Sequence, residues 1–475
     1  MREIERSIPD RPGVYPRMTT FAPSPAGQIT DTGRRWTLVL TSIGSFVVIL
    51  DLFAVSTALP ALRQALHASI GMLDWTVNAY TLSFAVLMMT AASLGDRWGR
   101  GRVYAGGLLL FSAASAACAL AGSAGELIVA RAVQGVGAAV LMPLSLALLN
   151  AAFPADRRGW ALGVFGSVTG LATVLGPVLG GLITQALSWS WIFWINVPVG
   201  VVAAVATLAR VPDSRGTRRA LDPVGLVLGG VAALALVWGV VRAAGVGWGD
   251  VTVLGSLAVG VVALVALIGY ERRAAEPMLP LRLFAERGFS TAAGAMFLLT
   301  ASVTGVVFFT AQFLQDALGD GPLAAGLRLL PLGVLPLALA ARSGALADRL
   351  GTRPLTVAGL VVLTLGTSLL AVLARPYPVL AGALVLVGLG MAVAVPALTK
   401  AVVGSVARGD ISTASGVFST VRQLGGAFGV AVTSAAFTSA GGYGSVAAGF
   451  RGAMVVAAVL AAIGLAVGLA ARPRD

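Results

Sequence analysis

Uncharged apolar stretches recur from residue 36 to residue 470, and that pattern limits the fold more than any other feature. Roughly twenty such residues in helical form cross a bilayer core about 30 Å thick. On that rule fourteen spans are predicted, at residues 36–59, 76–94, 103–122, 127–149, 160–184, 192–209, 223–241, 251–270, 290–313, 323–345, 355–373, 379–399, 412–437 and 452–470. The least regular is 323–345, with Arg328 and Arg342 near its ends and Pro331 and Pro336 inside. Only 11% of the 475 residues are charged and 57% are hydrophobic, whereas soluble domains average about 25% charged. An all-α polytopic membrane protein is the fold class this implies.

A net charge of +13 could indicate a nucleic-acid partner, so its placement decides the matter. The basic residues lie almost entirely in short segments between apolar runs, and nearly all are arginine; Lys400 is the only lysine. Arginine is dense in alternate connections, at Arg34 and Arg35, at Arg97, Arg100 and Arg102, at Arg157 and Arg158, and at Arg210, Arg215, Arg218 and Arg219. The pattern continues at Arg272, Arg273, Arg282 and Arg287, at Arg349 and Arg353, at Lys400 and Arg408, and at Arg472 and Arg474. Segments 185–191 and 438–448 carry no basic residue. By the positive-inside rule both termini are cytoplasmic, which agrees with an even number of spans. No cleavable signal segment is evident, and residues 1–35 read as a disordered cytoplasmic tail. Cys118 is the only cysteine, which excludes an intrachain disulfide.

LGDRWGRGR (94–102) and LADRLGTRP (346–354) share Leu-x-Asp-Arg-x-Gly, followed within two residues by an arginine, Arg100 in one and Arg353 in the other. Each follows the second helix of a six-helix group, so two related halves are expected with helices 7 and 8 inserted between them. The expected boundaries are a tail at 1–35, a first half at 36–209 and a linker with the inserted pair and an interfacial segment at 210–288. The second half is expected at 289–471, with a short tail at 472–475. Segment 276–289, EPMLPLRLFAERGF, mixes apolar and charged residues and is expected along the membrane interface.

Asp51 lies inside FVVILDLFAVSTALP (46–60). A carboxylate at a helix centre costs roughly 2.5–3.5 kcal/mol on insertion scales, and ionisable residues inside spans are functional by default. Of the twenty acidic residues, Asp51 alone reads as clearly inside a span. It stands roughly 12 Å from the outer end of the first helix, and Arg131 lies roughly 7–8 Å below the same surface on the fourth. Two such charges at similar depth are positioned to interact, and a neighbouring Arg and desolvation act on an Asp in opposite senses. An Asp balanced between them can load and release a proton; the plain alternative is a structural pair, or an Arg131 that snorkels. Gln134, one turn from Arg131, is a candidate hydrogen-bond partner, and Gly135 is read as packing.

Six stretches in order carry a resemblance. LDLFAVSTALP (50–60), GDRWGRGR (95–102), RAVQGVGAAVLMP (131–143), GLATVLGPVLGG (170–181), WSWIFWINVPVG (189–200) and VRQLGGAFGVA (421–431) resemble motifs of the fourteen-helix drug:proton antiporter branch of the major facilitator superfamily. Phe53, Ser56 and Ala92 depart from the usual Thr, Asn and Gly of those motifs. The resemblance implies a proton-coupled exporter of lipophilic small molecules such as drugs, antibiotics or dyes, working by alternating access in a bacterial cytoplasmic membrane. It implies proton coupling at Asp51 and Arg131, a fourth-helix motif of Arg131, Gln134, Gly135 and Pro143, and an antiporter motif of Gly170, Gly176, Pro177, Gly180 and Gly181. Small residues there allow close helix approach, and Pro177 can bend the helix. It implies a cytoplasmic gate loop of Asp96, Arg97, Gly99 and Arg100, with Asp348 and Arg349 at the repeat. Asp96 is expected to contact the inner end of the thirteenth helix near Ser412 when the site faces out.

Arg422 lies roughly 15 Å into the thirteenth span and is expected, with Gln423, to face the central cavity as a substrate or gate residue. A cavity holding one Asp and Arg422 is not strongly anionic, so cationic substrates are not assumed. No metal cluster, catalytic triad or nucleotide-binding loop is present in the sequence, so no enzyme activity, cofactor or metal is expected and an ion gradient is the expected energy source. The expected partners are the small-molecule substrate, protons and lipid, with no nucleic acid and a monomeric state. A transporter of one specific metabolite and a non-transporting sensor on the same fold are the competing expectations.

Overall fold

A computed structural model describes residues 31–215, 222–274, 277–372, 377–407 and 410–470. The chain is helical throughout these segments. The first six membrane helices are α1 (Asp31–Ala65), α2 (Ile70–Trp98), α3 (Arg100–Leu120), α4 (Ala124–Ala152), α5 (Ala155–Ala186) and α6 (Trp191–Arg210). Then come α7 (Pro223–Val246), α8 (Val251–Glu271) and α9 (Arg287–Gln312), the last continuing into a π-helical turn at Phe313–Ala317. The weakly patterned tenth span is broken just before Pro331 into Pro322–Arg328 and Leu330–Leu350, together called α10, and Pro336 lies inside the second piece. The chain ends with α11 (Thr352–Val372), α12 (Tyr377–Ser405), α13 (Ile411–Ser439) and α14 (Val446–Leu469). Thirteen of these are long and apolar enough to cross a membrane. The other, α13, is 29 residues long and carries the polar Arg422 and Gln423. This is a multi-pass membrane protein.

Helices α1–α6 pack among themselves and α9–α14 do likewise, with the two groups meeting along α1 and α9, α5 and α10, and α2 and α13. The repeated sequence has a shared physical cause. Gly99 separates α2 from α3 with φ 105°, and Gly351 separates α10 from α11 with φ 87°, a left-handed backbone that glycine alone adopts without strain. Each glycine lets two membrane helices reverse direction with a single residue between them.

The ends of the helices differ. At the arginine-poor end the two groups are tied together: Arg63 pairs with Asp316 at 3.2 Å, and its guanidinium lies 3.6 Å from the centre of the Tyr443 ring. Gln315 donates to the Thr57 carbonyl at 3.0 Å, and the Leu323 amide donates to Gln185 at 3.3 Å. Toward the arginine-rich end, Gly163 and Gly166 of α5, Gly344 of α10 and Gly416 of α13 have nothing within 4 Å of the position a side chain would take. The halves are therefore closed at the arginine-poor end and part toward the other.

Helix α5 supplies the seal. A Cβ on Gly180 would lie 2.4 Å from the Ala54 carbonyl oxygen of α1, and one on Gly176 would lie 2.6 Å from Phe53 Cβ. On α5's other side, a Cβ on Gly181 would lie 2.2 Å from the Pro322 oxygen of α10, and Gly170 faces Leu337. A Cβ on Gly326 of α10 would in turn lie 2.3 Å from the Pro177 oxygen. These small residues let α5 lie wedged between α1 and α10, backbone against backbone.

One expectation needs correction. Helix α2 begins at Ile70, not near residue 76, because Ser69 caps it by accepting from the Met72 amide at 3.3 Å. Asp74 is thereby drawn into the helix, 1% exposed, so Asp51 is not the only acid buried in a span. Segment 277–289, expected along the membrane interface, is tethered to the protein. Leu283 is buried, and Arg282 grips Asp410 through two hydrogen bonds of 2.7 and 3.0 Å. Residues 1–30, 216–221 and 471–475, and the side chain of Asp348, lie outside the described residues.

Gly180→Ala is expected to destabilise the protein by about 1–3 kcal/mol through overpacking. Gly163→Ala, with open space around it, should be neutral or stabilising by up to about 1 kcal/mol. Thermal unfolding of the full-length protein in detergent measures both.

Candidate proton-coupling site

Four helices converge on Asp51. It projects from the middle of α1 and is fully buried, as is Arg131 of α4. The Arg131 guanidinium donates through Nη1 to Asp51 Oδ2. The other carboxylate oxygen, Oδ1, accepts from Gln134 Nε2 at 3.0 Å and from Asn196 Nδ2 at 3.0 Å. Three donors on one carboxylate fit its ionised form, and a buried ion pair is tolerated only when its remaining hydrogen-bonding positions are filled.

The neighbours fix those donors in turn. Arg131 Nε donates to the Thr76 carbonyl at 3.0 Å, and Nη1 also reaches Gln134 Oε1 at 2.7 Å. The guanidinium carbon lies 4.2 Å from the centre of the Tyr80 ring, a favourable cation–π arrangement. The Tyr80 hydroxyl donates to the Val48 carbonyl at 3.1 Å, which ties α2 to α1 one turn before Asp51. Ser115 of α3 accepts from Gln134 at 3.2 Å and Asn196 at 3.1 Å, and donates to the Phe193 carbonyl at 2.9 Å. Arg131 Nη2 alone has no partner among the described residues.

The structure thus brings Asp51, Arg131 and Gln134 into one cluster. Gly135 serves packing, its Cβ position being 2.4 Å from the Tyr80 carbonyl oxygen, and Pro143 sits within α4 farther toward the arginine-rich end. Asn196, Ser115, Thr76 and Tyr80 escaped the sequence reading. Asn196 lay within the quoted WSWIFWINVPVG, where its side-chain amide was the available signal.

The other predicted residues lie elsewhere. Asp96 pairs with Arg100 one turn on, at 2.7 Å, so here its carboxylate serves the corner between α2 and α3. That corner is also held by Asp213, which accepts from the Gly101 amide at 3.1 Å. Arg97 and Arg349 are exposed. Arg422 is half-buried and has no hydrogen-bond or ion-pair partner among the described residues, and Gln423 beside it is buried. Phe53, Val174, Pro177, Val307 and Leu332 form an apolar wall where the two groups of helices meet below the closed end.

Asn196→Ala should cost about 1–3 kcal/mol by leaving an Asp51 oxygen short of a donor, and Arg131→Ala about 3–5 kcal/mol by leaving the buried carboxylate without its cation. The double variant should cost less than the sum, since both act on one carboxylate; denaturant or thermal unfolding reads this out.

The pattern of the Major Facilitator Superfamily matches residues 41–430 and, again, 295–475. The chain is 36% identical over 405 residues to the tetracenomycin C resistance and export protein of Streptomyces glaucescens, covering 84% of this chain and 75% of that protein. It is also 36% identical over 433 residues to the puromycin resistance protein pur8 of Streptomyces alboniger, covering 88% and 84%. Among solved structures, the inward-facing, occupied form of a bacterial homolog to the human lysosomal transporter Spinster superposes with a TM-score of 0.70. That match covers 93% of this chain and 97% of the other at 14% identity, and it bears on the fold alone. The buried charge cluster, the two helix groups closed at one end and these matches agree: this chain belongs to the Major Facilitator Superfamily.

Proposed function

We propose that this protein is a proton-coupled exporter of lipophilic small molecules across a bacterial cytoplasmic membrane. The observation that carries the proposal is the fully buried Asp51, held by Arg131, Gln134 and Asn196 on separate helices. Relatives named for antibiotic resistance and export support the direction of transport and the substrate class. The arginine-rich helix ends are read as cytoplasmic by the positive-inside rule, so the conformation described above is open inward and closed outward.

In this state the ion-paired Asp51 fits the step at which substrate is captured from the cytoplasm. Arg422, with no partner among the described residues, can meet a polar or anionic group on the substrate. Proton uptake from outside neutralises Asp51 and leaves Arg131 without its counter-charge while Thr76, Gln134 and Tyr80 still hold it. The contact between α1 and α4 is weakened, and return to the inward-open form carries the proton in. Release of that proton inside restores the ion pair. Substrate and proton thus occupy opposite phases of one cycle, as exchange requires. Asp96, freed from Arg100, would serve as a cytoplasmic latch in the outward-facing phase.

Vesicles carrying the full chain should expel a lipophilic fluorescent dye when a pH gradient is applied. Asp51→Asn, close in shape but unable to ionise, should abolish that gradient-driven efflux while the protein still folds. Efflux that persists unchanged in Asp51→Asn would remove Asp51 from the coupling scheme.

A further inference from the structure

A second acid stands between the two halves, and nothing above gives it a task. Asp74 lies in the second turn of α2, roughly 6 Å from the helix start, and is 1% exposed. Its Oδ2 accepts from the Ser434 hydroxyl of α13, across the boundary between the halves. Its Oδ1 has no partner among the described residues. The contrast with Asp51 is direct, for that carboxylate has a cation and two amide donors while Asp74 has one neutral hydroxyl.

The surroundings continue the pattern. Residues 74, 78 and 81 share one face of α2 at helical spacing. The Thr81 methyl lies 3.9 Å from the Cβ position of Gly426 on α13, so Asn78 sits between two points of α2–α13 contact. Both polar atoms of its buried side-chain amide lack a partner among the described residues, as does the hydroxyl of Thr438, one turn beyond Ser434. Buried polar groups are normally satisfied, and four unmet ones along a single seam mark a polar line through an otherwise apolar contact. At its outer end the seam meets a cavity of about 590 Å³ lined by Asp74, Trp75, Trp238, Thr438 and Tyr443.

We propose that Asp74 is a second proton-binding site, loaded from the outer face through the α2–α13 seam, whose protonated form holds the outer mouth shut. A carboxylic acid needs only the partner that Ser434 offers, whereas a carboxylate needs cations or several donors. Charging Asp74 therefore favours parting of α2 and α13 and entry of water. The charged and titratable groups near it are Tyr443 on the turn before α14, Arg63 of α1 and Asp316 after α9, which already pair with each other, and Arg242 of α7 on the cavity rim. Helix α13 adds hydroxyls there, and α4 adds Arg131, whose guanidinium is held by the Thr76 carbonyl two residues along α2. Through that carbonyl a shift of α2 reaches Asp51. The inference rests on the outward orientation proposed above, but its test needs neither substrate nor gradient.

Spin labels on Met72→Cys and Ser439→Cys, in a full-length Cys118→Ser background, report the distance between the outer ends of α2 and α13. With Asp74 present, the long-distance population should grow as pH rises; with Asp74→Asn it should stay low at every pH, and Asp51→Asn should retain the pH response. An infrared carbonyl band of a buried protonated carboxylic acid should vanish in Asp74→Asn and survive in Asp51→Asn. A pH response and band both unchanged in Asp74→Asn would overturn the proposal. Should that variant not purify, Asp74→Glu must move the band and the midpoint of opening, and an unmoved pair of readouts would overturn it equally. Loss of gradient-driven efflux in the parent protein would defeat the exporter reading and leave this result standing.

Discussion

Everything in the first half is arranged around one buried ion pair. A carboxylate and a guanidinium withdrawn from water each lose several kcal/mol of solvation, and their attraction offsets this only when every other polar position is answered. That requirement explains why α1, α3, α4 and α6 each send a polar side chain to the same point. It also explains why the Thr76 carbonyl of α2 turns its acceptor toward Arg131. Each donor is held by a second contact, Gln134 and Asn196 both through Ser115, so the cluster is rigid and not merely neutral. A rigid cluster responds to a change in protonation by moving helices, since its side chains have nowhere else to turn.

The halves themselves are joined by the opposite kind of chemistry. Where α5 is wedged between α1 and α10, the contact is backbone against backbone through glycine and proline, with few polar ties. Such surfaces slide or separate without stranding charges, which suits a boundary that must open. Among the described residues, the direct polar ties between the two helix groups, Arg63 to Asp316, Gln315 to Thr57, Leu323 to Gln185 and Ser434 to Asp74, lie toward the arginine-poor end. Closure at that end thus combines dry packing with a few directional contacts.

Much of this was legible in the sequence, for identifiable reasons. The fourteen spans were readable because a bilayer tolerates little charge over twenty residues, and the pairing of Asp51 with Arg131 followed from their depths along helices of known rise. Asn196 and Ser115 were not, because a neutral polar residue in an apolar helix leaves no periodic trace, and its direction depends on how helices pack. Asp74 was missed for a related reason. An acid near a helix end looks like part of a connection until the cap at Ser69 shows that the helix starts earlier. The tenth span stood out as irregular through its two prolines, but its break at Leu329 was not expected, because a proline at the start of a helix is tolerated as well as one that ends it.

Helix α7 gives the inserted pair a place in this scheme. Val237, Val240 and Val241 share one apolar cluster with Leu82 of α2 and Ala427, Ala431 and Ala435 of α13, so α7 lies over the line along which the halves meet. When that line widens, α7 still covers its flank, so water admitted between α2 and α13 from the outer mouth is kept apart from the hydrocarbon at the side.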